Sequence, residues 1–157
     1  CLLETGIGQG SVLATPMQMA LVAATVANDG VMMQPKLVNS IVDKDQNVIK
    51  TIGSKELKQV MSSDIAETIQ DYMTNLVNSN LSKWPAFKGT NAGGKTGTAD
   101  YTLPDGSEAT PHSWFIAAAP MDDPQIAVAV IVENGGTGSG AAATVASKVV
   151  RQAVLGY

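Results

Sequence analysis

The sequence predicts an α+β fold, in which helices cover an antiparallel sheet, and three observations lead there. Helical patterns fill the first half, strand-like runs occupy the stretch from Gly93 to Glu133, and a last helical stripe closes the chain. Two of the runs, His112 to Ala119 and Ile126 to Glu133, are apolar on both faces, as in a sheet covered on both sides. Turn chemistry at Pro104-Asp105-Gly106 and at Met121-Asp122-Asp123-Pro124 separates the runs, so neighbouring strands should pair as hairpins.

In chain order, Thr15-Pro16-Met17-Gln18 is a helix start, with Thr15 as N-cap, Pro16 at the first helical position and Gln18 closing a capping box. Gly30 is the stop. Between them Met19, Ala20, Leu21, Val22, Ala23, Ala24, Val26 and Ala27 are apolar almost all round, which describes a helix needing cover on every side. Leu37 to Asp43 and Asn47 to Ile52, split by polar Lys44-Asp45-Gln46, form a peripheral hairpin. From Ser63 to about Asn78, Ile65, Ile69, Tyr72, Met73 and Leu76 recur at helical spacing, with Ser63 a candidate cap and Asp64 at the positive helix end. Gly93 to Ala99 is the first strand of the sheet. In the closing helix, Ala142, Val145, Ala146, Val149 and Ala153 form the stripe that packs on it. No internal repeat or heptad pattern is present.

Composition narrows the function classes. The 157 residues are 45% apolar and 15% charged, against ~25% charged for an average domain, which fits a compact folded object and not a disordered one. A net charge of −4 and a pI near 4.8, with no cluster of Lys and Arg, argue against a nucleic-acid partner. Cys1 is the only cysteine, so no intrachain disulfide or thiolate metal site can form. Neither a metal nor a cofactor is expected. A first residue that is not methionine suggests a processed product or fragment whose targeting signals lie upstream.

Gly94-Lys95-Thr96-Gly97-Thr98-Ala99 is the chemically informative stretch, because it joins a cation, two hydroxyls and a glycine on one strand. Alternation sends Lys95 and Gly97 to one face and Thr96 and Thr98 to the other. Gly97 allows a ligand backbone to approach, and an edge strand here can pair with an extended peptide. A lone Lys-Thr-Gly is a weak signal, since an ordinary strand with a surface lysine gives the same three letters.

Its context is stronger. Gly8-Gln9-Gly10, Thr15-Pro16-Met17-Gln18-Met19-Ala20, Ala27-Asn28-Asp29-Gly30 and Pro35-Lys36-Leu37-Val38 precede it in order. His112-Ser113-Trp114-Phe115 running into Ala119-Pro120 follows it. Together these resemble the class B penicillin-binding proteins over most of the chain, least from Asp43 to Lys88. The resemblance implies the penicillin-binding and serine β-lactamase-like fold, and a complete parent that is a serine-type D-Ala-D-Ala transpeptidase. Such an enzyme cross-links peptidoglycan stem peptides through an acyl-serine that β-lactams trap. It further implies that Lys95 supplies positive potential, that Thr96 and Thr98 bind the ligand carboxylate, and that Gly97 keeps the strand approachable. The Thr98 backbone N–H becomes an oxyanion-hole donor. An extracytoplasmic location with an upstream membrane anchor follows from the same resemblance, as do other cell-wall synthesis proteins as partners.

One departure matters. In these enzymes Lys-Thr-Gly accompanies Ser-x-x-Lys and Ser-x-Asn, yet no serine from Ser11 to Ser147 begins either motif. The expectation is that residues 1–157 form the C-terminal portion of one transpeptidase domain, whose N-terminal portion carries the nucleophile, and that the fragment alone is inactive. Part of the cover for the doubly apolar strands and the Pro16 helix would come from that portion. A non-catalytic sensor or scaffold on the same fold is the alternative. A more distant one is a nucleotide-binding module, because Gly136-Thr137-Gly138-Ser139-Gly140-Ala141 fits G-x-G-x-x-A. No further strand follows it and no acidic residue lies ≈20 positions on, so a flexible strand-to-helix connector is the better reading. His112, with no partner motif, reads as structural, and Trp114 and Phe115 read as core packing. The seven methionines, Met17, Met19, Met32 and Met33 among them, read as core filler or loop contacts instead of a metal or partner-binding surface.

Overall fold

A computed structural model describes residues 2–10 and 12–157. Cys1 and Ser11, which enter the cysteine and serine readings above, lie outside the described residues. The elements are α1 (Leu2–Gly6), α2 (Pro16–Ala27), β1 (Val31–Met33), β2 (Ser40–Val42), β3 (Val48–Thr51), β4 (Glu56–Gln59) and α3 (Ser63–Asn78). A 3-10 turn (Pro85–Phe87), β5 (Gly93–Ala99), β6 (His112–Ala119), β7 (Ile126–Val132) and α4 (Ala141–Leu155) complete them.

The sheet that organises the fold has the order β5-β6-β7 with both pairs antiparallel, which leaves β5 at an edge. Its register separates the two faces. Gly94 abuts the Phe115 ring, and Phe115 joins Trp84, Phe87, Ala142, Ala146 and Val150 in the core, so this face is covered by α4 and the 3-10 turn. Gly93, one residue earlier, abuts Met73 of α3, so the opposite face belongs to α3 and α2. The result is three layers, the arrangement expected for strands apolar on both sides. Trp84 and Phe87 stand edge-to-face at 6.3 Å, and Trp84 meets Phe115 edge-to-face at 5.3 Å, a geometry that favours aromatic pairs beyond their area.

α2 starts as its sequence dictates. The Gln18 N–H donates to Thr15 Oγ1, and the Thr15 N–H donates back to Gln18 Oε1. The peripheral hairpin is present as β2 and β3, shorter than expected, with the Asp43 carboxylate accepting from the Asp45 N–H and from both nitrogens of Asn47.

Three local expectations are corrected. The cap of α3 is Ser62, not Ser63: Ser62 has extended backbone and its hydroxyl accepts from the Ile65 N–H. α3 buries Ala66, Met73 and Val77 and leaves Ile65 and Tyr72 exposed. α4 buries Ala142, Ala143, Ala146, Ser147 and Val150, while Val145, Val149 and Ala153 face outward. Met73 of α3 and Ala142 and Ala146 of α4 are buried as read; in α4 the buried line otherwise runs through small residues that let the helix approach the sheet closely, and Val145 and Val149 lie to one side. The sequence reading also omitted α1, the 3-10 turn, and the short pair of β1 with β4.

Candidate active site

β5 carries Lys95, Thr96, Gly97 and Thr98 along the free edge of the sheet. Within an antiparallel strand the N–H and C=O of one residue point to the same side, and successive residues alternate. The Thr98 carbonyl accepts from Gln9 Nε2 at 2.9 Å, and the Thr96 carbonyl accepts from Lys95 Nζ at 2.7 Å. Both carbonyls therefore point away from β6, and the N–H groups of Thr96 and Thr98 point with them to the open edge.

The side chains divide as alternation requires. Thr96 and Thr98 stand opposite Phe115 and Ser113 on the α4 face, whereas Lys95 and Gly97 stand opposite Ile116 and Trp114 on the other. A half-open cavity of ≈ 680 Å³ runs along β5; its lining includes Lys95, Gly97, Trp114 and Ile116 from that other face, Thr96 and Thr98 from the strand itself, Met19 from α2, and Gln9. Lys95 is exposed and makes no ion pair among the described residues. A Cβ on Gly97 would lie 3.2 Å from Cβ of Trp114, so glycine keeps the cavity floor low beside the indole. No cluster of His, Cys, Asp or Glu suited to a metal occurs among the described residues.

Neighbouring residues sort themselves on geometry. His112 stacks on Tyr101 at 4.5 Å, and its Nδ1 accepts the Asn134 N–H at 3.1 Å, which makes it a fastener of the β7 end. Tyr101 OH donates to Asn134 Oδ1 at 2.6 Å, closing the same knot. Phe115 is core, as expected, but Trp114 is half-buried and lines the cavity, because it faces away from α4. Met17 is half exposed and Met73 is buried, so the methionines do not share one role. The connector 134–140 runs back over the α4 face of β5, and every pair in the described sheets is antiparallel. That leaves the dinucleotide pattern without its fold.

Two residues at the site had no role in the sequence reading. Gln9 bonds the β5 edge from 89 positions away, and the Gly138 N–H donates to Thr98 Oγ1 at 3.2 Å. Gln9 stood inside a quoted motif, which was the available signal.

A three-layer α+β fold with a lysine- and threonine-bearing free strand over a cavity defines the penicillin-binding and serine β-lactamase-like class, whose edge strand can take an extended ligand as a further strand. The chain belongs to the penicillin-binding protein transpeptidase domain family, whose model matches residues 2–152. It is 42% identical to peptidoglycan D,D-transpeptidase PbpA of Mycolicibacterium smegmatis over 132 residues, which is 84% of this chain and 26% of that protein. To PbpA of Mycobacterium tuberculosis it is 37% identical over 158 residues, 97% of this chain and 32% of that protein. The solved ceftriaxone acyl-enzyme complex of penicillin-binding protein A from M. tuberculosis superposes with a TM-score of 0.87 at 36% identity, covering 96% of this chain and 35% of the other. The chain thus spans between 26% and 32% of the length of these curated relatives.

Proposed function

We propose that the complete protein is a peptidoglycan D,D-transpeptidase and that residues 1–157 are the C-terminal portion of its transpeptidase domain. The observation that carries this reading is the free edge of β5, where the Thr98 N–H points outward beside Lys95. A serine in the N-terminal portion attacks the penultimate D-Ala carbonyl, and its proton leaves with the departing D-Ala amine. An amine of a second stem peptide then attacks the ester, forms the cross-link and restores the serine. β-Lactams enter the first step and stop there.

In this reading the Thr98 N–H donates to the carbonyl oxygen as it becomes an oxyanion, a contact of the kind worth about 2.7–4 kcal/mol in acyl transfer. Gln9 occupies one of the two lone pairs on the Thr98 carbonyl, so the second can receive a ligand N–H. Lys95 turns from the Thr96 carbonyl to the anionic end of the ligand, and the Thr96 and Thr98 hydroxyls bind its carboxylate. The same reading places the domain outside the cytoplasmic membrane, held by an upstream anchor, with cell-wall synthesis proteins as partners. No helix among the described residues is long and apolar enough to cross a membrane.

Intact-mass spectrometry after incubation with penicillin G tests this. The complete protein should gain one penicillin and the 157-residue chain alone none. A folded complete protein that stays unmodified points instead to a scaffold, and a stoichiometric adduct on this chain alone contradicts the placing of the nucleophile.

A further inference from the structure

We infer that Gly138 is a positioning residue for anion recognition, acting through the hydroxyl of Thr98; this rests on the ligand-binding role proposed for β5. The connector from β7 to α4 was expected to be a flexible link. Instead it is tied at both ends and in the middle. The Gly136 N–H donates to the Pro111 carbonyl at 3.0 Å, and the fully buried Ser113 hydroxyl donates to the Thr137 carbonyl at 2.8 Å while accepting the Ala142 N–H at 3.1 Å. Trp84 Nε1 donates to the Ser139 carbonyl at 2.9 Å.

This frame presses Gly138 onto β5. At Gly97 and Trp114 the side-chain positions lie on the cavity face, so the α4 face of that pair is bare backbone. Gly138 rests on it: a Cβ there would come within 2.6 Å of the Gly97 nitrogen and 2.7 Å of the Trp114 carbonyl oxygen, and would overlap the Gly97 carbonyl oxygen. None of these obstacles is a flexible side chain. From this position the Gly138 N–H donates to Thr98 Oγ1.

The hydrogen bond has a chemical consequence. A threonine hydroxyl has one proton and two acceptor sites. With one acceptor site engaged by a backbone donor, the proton is left to point elsewhere, and a carboxylate can only accept it. The connector therefore prearranges Thr98 as a donor, and a bond to a charged acceptor is stronger than one between neutral groups. A connector that merely filled space would place no N–H on Oγ1.

The test compares acylation rate constants of the complete protein with penicillin G and with its methyl ester, which lacks the anion. Gly138→Ala should slow both ligands, because its Cβ meets the backbone of β5, and should slow the acid roughly tenfold more than the ester, the order of one hydrogen bond to a charged group. In a Thr98→Val background Gly138→Ala should slow acid and ester alike, because the interaction that separates them is already gone. Equal losses on acid and ester in the otherwise wild-type protein, or an acid-specific loss that persists in the double variant, overturn the inference. A wild-type protein that neither ligand acylates overturns the proposed function itself, a result visible before any variant is made. Should Gly138→Ala fail to fold, hydrogen exchange of the Gly138 amide decides. Protection present in the wild type and in Thr98→Ser but lost in Thr98→Val supports the bond, and protection unchanged in Thr98→Val refutes it.

Discussion

Gly94→Ala places one methyl group against an aromatic ring that has nowhere to go. The new Cβ would lie 2.6 Å from Cε1 and Cζ of Phe115 and 3.0 Å from the Ile116 carbonyl oxygen. Carbon atoms rest at about 3.5–4.0 Å, so the overlap with the ring is roughly 1 Å. Phe115 is fully buried, held edge-to-face by Trp84 at 5.3 Å and against Phe87 at 5.7 Å, so the relief must come from β5. Overpacking of this kind costs about 1–3 kcal/mol, and the alanine returns about 0.5–1 kcal/mol through the less flexible unfolded chain. The net loss should be about 0.5–2 kcal/mol. Urea denaturation of the complete protein, followed by tryptophan fluorescence, measures it. Acylation by penicillin should slow as well, since the displaced strand carries the free edge. Repeating the change in a Phe115→Leu background isolates the cause: with the ring gone, the second step should cost less than about 0.5 kcal/mol, a coupling typical of residues in contact. An equal cost in both backgrounds refutes the ring as the obstacle, and a neutral Gly94→Ala in the wild type refutes the register of β5 on β6.

Lys95→Ala in the complete protein should lower the acylation rate constant by removing the cation at the cavity, with the thermal unfolding midpoint little changed because Lys95 is exposed and makes no ion pair among the described residues. Thr98→Pro should cost about 10²–10³-fold by deleting the outward N–H. It should still fold, since proline is tolerated on an edge strand whose N–H faces away from the sheet; parental acylation rates in folded variants refute the assigned roles. At the hairpin, the Asn47 side-chain amide, then the Asn47 N–H and the Asp45 N–H, hold the Asp43 carboxyl below its ordinary value of 3.8. A lowered folded pKa means that this stabilisation of the hairpin is complete above the unfolded value and is lost as pH falls through the lowered one. An NMR titration of the Asn47 amides should show a midpoint below 3.8; one at or above it contradicts the three hydrogen bonds.

What the sequence revealed was local in origin. The three sheet strands were legible to within a residue, β6 and β7 because apolar runs between turn residues need no knowledge of the partner; only Glu133 falls outside β7. The capping box of α2 was legible because its two partners are three residues apart. The buried lines of α3 and α4 were legible only in part: Met73, Ala142 and Ala146 were read as inward, Ala66, Val77, Ala143 and Val150 were not. Hydrophobicity alone prefers Val145 and Val149 to Ala143, but a helix laid on the closely packed alanines Ala117 and Ala119 of β6 is chosen by closeness of approach. The β1 and β4 pair escaped because strands of three and four residues, separated by a whole hairpin, leave no periodic trace.

The same division runs through the site. Lys95, Thr96, Gly97 and Thr98 are contiguous, so a pattern of letters could find them. Gln9 and Gly138 reach Thr98 from 89 and 40 positions away, and each has an innocuous local reading, a polar loop residue and a loop glycine. For the glycine there is nevertheless a distinction to draw. Of the four glycines at 135, 136, 138 and 140, only Gly136 has the positive φ that calls for glycine on backbone grounds. Gly138 has no such need, yet a Cβ on it would strike the backbone of two strands. A turn explains one glycine in this connector; the close approach to β5 explains Gly138, and with it why a segment that reads as a flexible connector is built as a support for the threonine in front of it.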